Sequence, residues 1–408
     1  MFYLDIILNA IRLFVALLGC YIYGLTTTYV GGIENALSSQ YGMTASVFGS
    51  LNNVYLLGSA LGLLLCSNML DGVYAHRLIV VLSFLLSCSF VLLGLPTHKN
   101  IIISGELLMG FSATSFLIYT IKLSKMYFPK LTHRILPLIV GFVIFGNAST
   151  SMIERFTMHM GFKKTDSMIT LFVFLYSFLL WLTVKPFNSV NDSTPKTYSD
   201  WFKQIWNIFE PLRSIKITLV LLSQGMLLGF VSVIFLNIVT PIIYIHTTYE
   251  GTTSMLYLSK GVFGVILGVL FTEKLSSILY LTYQYGLGFL CSLMVGLLLY
   301  YQADLFYLTI VLYCLSIVIC TNGANTLHYV TSAVPSTQSA KTAGCANLVY
   351  KISIFIIGLP VTYMLPKKTT EQISSSDLTM LSIYFVLLST FAFLLMLYLC
   401  LTEKTVKN

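Results

Sequence analysis

Charge is what this sequence has least of. Lys and Arg number 23 and Asp and Glu 15 among 408 residues, so 9% of the side chains are charged, against about a quarter in an ordinary soluble domain. A water-facing surface cannot be covered with so few ions, which excludes a soluble globular protein. Metal and redox patterns are missing too. The eight cysteines stand singly in or at the ends of apolar runs, with no C-x-x-C pair and no histidines spaced for zinc. They read as small packing residues, and no metal or other cofactor is expected. Neither a G-x-S-x-G elbow nor a G-x-x-x-x-G-K-[ST] phosphate loop occurs, and the six histidines are dispersed. Those absences remove an ATP-driven pump on one chain and leave no catalytic constellation, so an enzyme is not expected. The net charge of +8 is spread singly through short loops rather than gathered in a patch, so nucleic acid is not an expected partner.

What is present is apolar length. Hydrophobic residues make up 57% of the chain and arrive in blocks of about 20, enough to cross about 30 Å of hydrocarbon at about 1.5 Å per residue. Spans are predicted near 8–32, 44–66, 77–96, 101–126, 134–155, 167–186, 216–242, 252–272, 277–300, 304–332, 343–365 and 378–402. The first block has no basic stretch before it and is too long for the core of a cleavable signal, so it is read as the first span. One long polar stretch, PFNSVNDSTPKTYSDWFKQIWNIFEPLRSIK, divides the spans six and six. The expected organisation is an N-terminal half at 1–186, a linker at 187–215 and a C-terminal half at 216–408. Within the linker, Trp201, Phe202, Ile205, Ile208, Phe209 and Leu212 recur at helical spacing, which predicts a short amphipathic helix on the membrane surface. Fifteen of the 23 Lys and Arg residues fall in inner segments and six in outer loops when the N-terminus is placed inside. Both termini and the linker are therefore expected in the cytoplasm.

The loop between the second and third spans, SNMLDGVYAHR, resembles the loop signature of the major facilitator superfamily, G-x-x-x-D-R-x-G-R-R. Asp71 occupies its acidic position, and His76 and Arg77 keep basic character near its end, while Ser67, Gly72 and Tyr74 replace Gly, Arg and Gly. The corresponding loop of the second half, GVLFTEK, puts Glu273 and Lys274 in roughly the equivalent place. Two six-span halves joined by a cytoplasmic linker also match that superfamily, whose halves are related repeats. The resemblance implies an all-α integral membrane fold of twelve transmembrane helices that works by alternating access. It further implies that the loop acid latches the inward gate, with Arg77 or Arg134 as its partner; otherwise Asp71 is a solvated acid in a loop that stays on one side. Where many members carry Arg four residues before a Gly in the fourth span, this chain has Glu106 before Gly110. Drug and proton antiporters of the family often show G-P-x-x-G-G in the fifth span, and here only Gly141 and Gly146 remain, which tilts the reading from efflux toward uptake.

Charges near the bilayer centre are costly, about 2.5–3.5 kcal/mol on the mildest scale, and usually face a cavity or a partner. Lys260 and Lys351 each lie about nine residues into a span, about 13 Å deep. A carboxylate on the solute would relieve the repulsion between two such ammonium groups, with Asn347 one helical turn before Lys351. A lysine that snorkels or bonds to carbonyls at a kink fits the same positions. Glu106 lies about five residues into the fourth span; desolvation favours its protonated form, which suits proton coupling, as it also suits a structural acid near the outer rim. Amides in lipid forfeit hydrogen bonds, so Asn52 and Tyr55 with Ser59, Gln224, Asn322 and Asn325 are placed toward the bundle interior, as solute contacts or as links between helices.

These residues lead to an expected secondary active transporter of a small polar solute, an amino acid or organic acid first, taken up by proton symport. The alternatives are a drug or metabolite exporter of the same fold and a non-transporting membrane sensor. Expected partners are the small-molecule solute, a proton or other ion gradient and membrane lipid, with a monomeric chain in a bacterial inner membrane.

Overall fold

The computed structural model describes residues 2–41, 45–72, 74–94, 99–186, 199, 203, 205–234, 262–270, 277–301, 305–364 and 375–407. Among them the regular structure is helical throughout. The helices are α1 (Phe2–Tyr41), α2 (Ala45–Cys66), α3 (Ala75–Gly94), α4 (Lys99–Tyr127), α5 (Thr132–Ala148), α6 (Thr150–Met160), α7 (Phe162–Thr183), α8 (Ile215–Ile234), α9 (Ile278–Tyr300), α10 (Leu305–Ser332), α11 (Ser339–Met364) and α12 (Ser375–Lys407). Residues 262–270 form a further helical segment. Lipid offers no partners to backbone N–H and C=O groups, so an apolar run must satisfy them within itself, and the helix does so.

Every one of the twelve apolar blocks contains helix among the described residues. Nine helical stretches there are long and apolar enough to cross a membrane, and a tenth is added if the 3-10 turn Asn207–Arg213 and α8 count as one bent span. The fifth block is shared by α5 and α6, which break at Ser149 and together make one stretch, Pro129–Met160. Between α6 and α7 stands Gly161 at φ +84°, a left-handed conformation that glycine adopts without the Cβ clash other residues meet. In the linker the expected surface helix is only partly α-helical. Residues Asn207–Arg213 are 3-10, because Pro211 has no N–H to continue an α ladder.

The apolar residues are turned outward as well as inward. On α7, Leu171, Phe174, Leu175, Phe178 and Trp181 are exposed, whereas Asp166, Tyr176 and Ser177 are buried. Such a large apolar outer face belongs in hydrocarbon, and the protein is an integral, multi-pass membrane protein.

Contacts divide the chain into two compact units, Met1–Glu210 with Ala333–Leu348, and Pro211–Ser332 with Val349–Asn408. In the first unit, helices approach backbone to backbone at glycines. A Cβ on Gly24 would lie 1.9 Å from the Val143 carbonyl oxygen, and one on Gly110 2.2 Å from that of Tyr55, so α1 packs on α5 and α2 on α4 at distances only glycine permits. Gly24→Val is expected to cost roughly 1–3 kcal/mol or more through overpacking. The check is a lowered melting temperature and loss of the monodisperse peak in detergent; an unchanged melting temperature would contradict this packing.

Candidate functional site

Two groups of polar residues in the first unit carry ionisable side chains that bear on the site, the first of them built on the loop acid. A 3-10 turn, Met69–Asp71, follows α2 and carries Asp71 to the start of α11. The backbone N–H of Ala340 donates to its Oδ1 at 3.1 Å, and that of Lys341 to its Oδ2 at 2.8 Å. Asp71 thus caps a helix to which it is remote in sequence, where free N–H groups and the helix dipole favour an anion. The Lys122 ammonium, whose side chain is 0% exposed, sits 2.6 Å from Asp71 Oδ1 and donates to the Ser336 carbonyl at 2.9 Å. The side chain of Lys341 in turn pairs with Glu210. Burial pushes the Asp71 carboxyl above its ordinary range, and the Lys122 ammonium and the two N–H donors pull against it.

This corrects the expected partner. Arg77 is exposed and places its guanidinium 5.5 Å over the Tyr74 ring, and Arg134 is exposed on α5. Lys122 takes their place because it lies on the buried face of α4 beside Ile118 and Ile121, a position that reads in the sequence only as one more positive charge near a span end. The packing at this point is close. A Cβ on Gly344 of α11 would fall 2.2 Å from Ser67 Oγ. Gly344→Ala is therefore expected to weaken this contact and slow transport, and Ser67→Gly in the same chain to restore it; no recovery in the double variant would contradict the geometry.

The second group surrounds Glu106 of α4. Glu106 is 1% exposed, and its Oε1 has no hydrogen-bond partner among the described residues. Tyr55 shares a 3.1 Å hydrogen bond with Thr26, and Tyr29 donates to Asp166 Oδ1 at 2.5 Å. Nearby in the same unit, Tyr23 lies within hydrogen-bonding reach of the buried side chain of Asn347. Asn52 is exposed, unlike Tyr55 and Ser59 on the same helix.

In the second unit four amides, Gln224, Gln284, Asn322 and Asn325, are buried among Ser and Thr hydroxyls. Asn325 donates to Gln284 at 3.1 Å, and Thr326 to Asn322 at 2.9 Å, beside the hydroxyl of Tyr285. Asn322 Nδ2 and Asn325 Oδ1 have no hydrogen-bond partner among the described residues. Lys351, one turn after Asn347 on α11, is 6% exposed, and Gln224 of α8 is also buried. Lys260, Glu273 and Lys274 lie outside the described residues. Among those described, no group of three or more His, Cys, Asp or Glu side chains could hold a metal ion. Sequence reasoning missed Lys122, Tyr29, Asp166 and Gln284. In the sequence Asp166 reads only as an acid just before the sixth predicted span, after two lysines.

Apolar helices with buried carboxyl, ammonium and amide groups make this a polytopic membrane protein. Residues 15–358 match the model of the Major Facilitator Superfamily, and the chain belongs to that superfamily as a secondary transporter. No curated protein matches it. Among solved structures it is similar to the major facilitator proton:xylose symporter XylE bound to 6-bromo-6-deoxy-D-glucose. The TM-score is 0.72 at 13% identity, with 94% of each chain covered; at that identity the likeness concerns the fold.

Proposed function

We propose that the protein takes up a small polar solute by alternating access, driven by proton symport with Glu106 as the coupling carboxyl. The observation that carries this reading is the unpartnered Oε1 of a carboxyl that is 1% exposed. Burying an unpaired anion is expensive, so such a group is stable when it holds a proton and becomes ready to release it when water or a partner arrives. The structural neighbour is itself named a proton symporter, which supports the same energy source. For the solute, buried Lys351 with Asn347 one turn away favours a carboxylate, as in an amino acid or organic acid, with Lys260 as a second ammonium. Tyr55, Gln224, Asn322 and Asn325 would supply hydrogen bonds to its polar groups, and Asn52 a contact at the edge. Asp71 and Lys122 would close the inner gate in a monomer whose termini lie in the cytoplasm, in a bacterial inner membrane.

A second reading rests on the amides. Gln284, Asn322 and Asn325 suit a neutral hydroxylated solute, and the neighbour's named cargo is a pentose. The two readings separate in one assay. Proteoliposomes with an inward proton gradient are offered labelled amino acids, organic acids and sugars, with and without a proton ionophore. Uptake of a carboxylate that the ionophore abolishes and Lys351→Ala weakens supports the first reading. Ionophore-resistant uptake would reject proton coupling, and an unchanged apparent affinity in Lys351→Ala would reject the anion site. Outward movement of drugs instead of uptake would favour an exporter.

A further inference from the structure

The start of α11 is gripped by more than the loop acid. A 3-10 turn, Ser336–Gln338, precedes the helix. Its Ser336 carbonyl accepts the Lys122 ammonium, while Asp71 accepts the N–H groups of Ala340 and Lys341. The side chain of Lys341 points elsewhere. It reaches the linker, where its ammonium pairs with the Glu210 carboxylate; the two side chains are 11% and 43% exposed. Glu210 belongs to the 3-10 turn Asn207–Arg213, and that turn is seated on the protein, with Ile208 0% exposed. Lys341 is thus held twice, by its N–H from an acid 270 residues away and by its ammonium from an acid 131 residues away. Asp71, Lys122, Glu210 and Lys341 all lie in the first compact unit. Two native thiols flank the same contact. Cys66 precedes Ser67 and Cys345 follows Gly344, the two residues whose approach leaves no room for a Cβ, and the cysteines are 4% and 0% exposed.

We propose that Glu210 is a positioning residue for the inner gate: through Lys341 the linker clasps the start of α11 to the first unit, and the clasp favours the closed gate. The inference rests on reading Asp71 and Lys122 as that gate. Asp71 can cap α11 only while the N–H groups of Ala340 and Lys341 point at it. Successive residues are turned by about 100° around a helix axis, so rotation of the first turn takes both donors away from the carboxylate. An anchor on the Lys341 side chain resists that rotation at the residue whose N–H makes the 2.8 Å bond. A part-exposed ion pair is a weak anchor, which suits a contact that must break in every transport cycle. The pair of Asp71 and Lys122, at 11% and 0% exposure, is the drier and stronger of the two.

The test needs no identified solute. The full-length protein in liposomes is treated with N-ethylmaleimide, and the labelling rates of Cys66, Cys345 and Cys20 are read from their peptides by mass spectrometry. The rate at a thiol that opening uncovers is proportional to the open population. Cys20 is the control. It is 0% exposed inside the first unit and donates to Thr120 at 3.2 Å, so it reports loosening of the helices rather than opening of the gate. Glu210→Gln is expected to raise the rates at Cys66 and Cys345 by about threefold to fivefold, the size of effect a part-exposed pair carries, with Cys20 unchanged. Lys341→Met is expected to do the same, and Glu210→Gln added to Lys341→Met to do no more. Wild-type rates at Cys66 and Cys345 in Glu210→Gln overturn the proposal, and so does an equal rise at all three thiols. Asp71→Asn tests the gate itself. If it leaves both thiols at the wild-type rate, the gate reading fails and takes this inference with it; a rise there with none in Glu210→Gln removes the clasp alone.

Discussion

Lys122→Met is expected to destabilise the folded protein by roughly 3–5 kcal/mol, the range for removing one partner of a buried ion pair, and to abolish transport. The side chain is 0% exposed, and its ammonium serves both the Asp71 carboxylate and the Ser336 carbonyl. Methionine fills a similar volume, so what is lost is charge and hydrogen bonding rather than packing. Asp71 is left with only the N–H groups of Ala340 and Lys341. Burial already pushes its carboxyl above the ordinary range against the pull of Lys122, and without the ammonium it rises further. For an acid raised on folding, the cost is present at pH above its folded titration and disappears below its unfolded one. The deficit of Lys122→Met is thus largest at neutral pH and shrinks as pH falls through the titration of Asp71. Adding Asp71→Asn is expected to recover a substantial part of the stability. Melting temperatures of the single and double variants across pH would check this; a deficit that is independent of pH and unrelieved in the double variant would refute the pairing as the cause.

Glu106→Gln is expected to reduce gradient-driven accumulation to the level of simple equilibration while leaving exchange of solute across the membrane intact. A gradient of one pH unit is worth about 1.4 kcal/mol per proton, or about tenfold accumulation for a one-proton symporter, so the full tenfold is at stake. Glutamine keeps the shape of the side chain, which is 1% exposed, but carries no proton that can leave. The variant should therefore behave as the permanently protonated carrier, able to cross loaded and unable to be driven. The measurement compares accumulation under an imposed gradient with counterflow without one, using a solute found in the uptake panel. Wild-type accumulation in the variant would remove Glu106 from the coupling step.

The helices are largely legible in the order of the residues. A block of about 20 apolar residues has few options in lipid, and each block contains helix among the described residues. Family membership is legible from the architecture together with Asp71 in its loop, and the match over 15–358 agrees. The linker is less so, because the helical spacing of its aromatic residues hides the effect of Pro211, which leaves Asn207–Arg213 as a 3-10 turn. Among the site residues, Glu106 can be singled out because an acid inside a span is rare. Lys122 cannot, since a lysine near the end of a span usually reaches for the interface, and nothing local distinguishes the one that turns inward.

Where the chain crosses the membrane is written in its sequence, since hydrophobic length and the need to satisfy backbone hydrogen bonds are properties of each segment alone. Which charged and polar groups meet is a product of the folded packing. Asp71 and Lys122 are 51 residues apart, and Tyr29 and Asp166 are 137 apart. Both pairs depend on helices approaching closely, at a capped helix start in one case and beside Gly94 in the other. An ion pair or a buried hydrogen bond exists only at short distance, and that distance is set by the packing of remote helices.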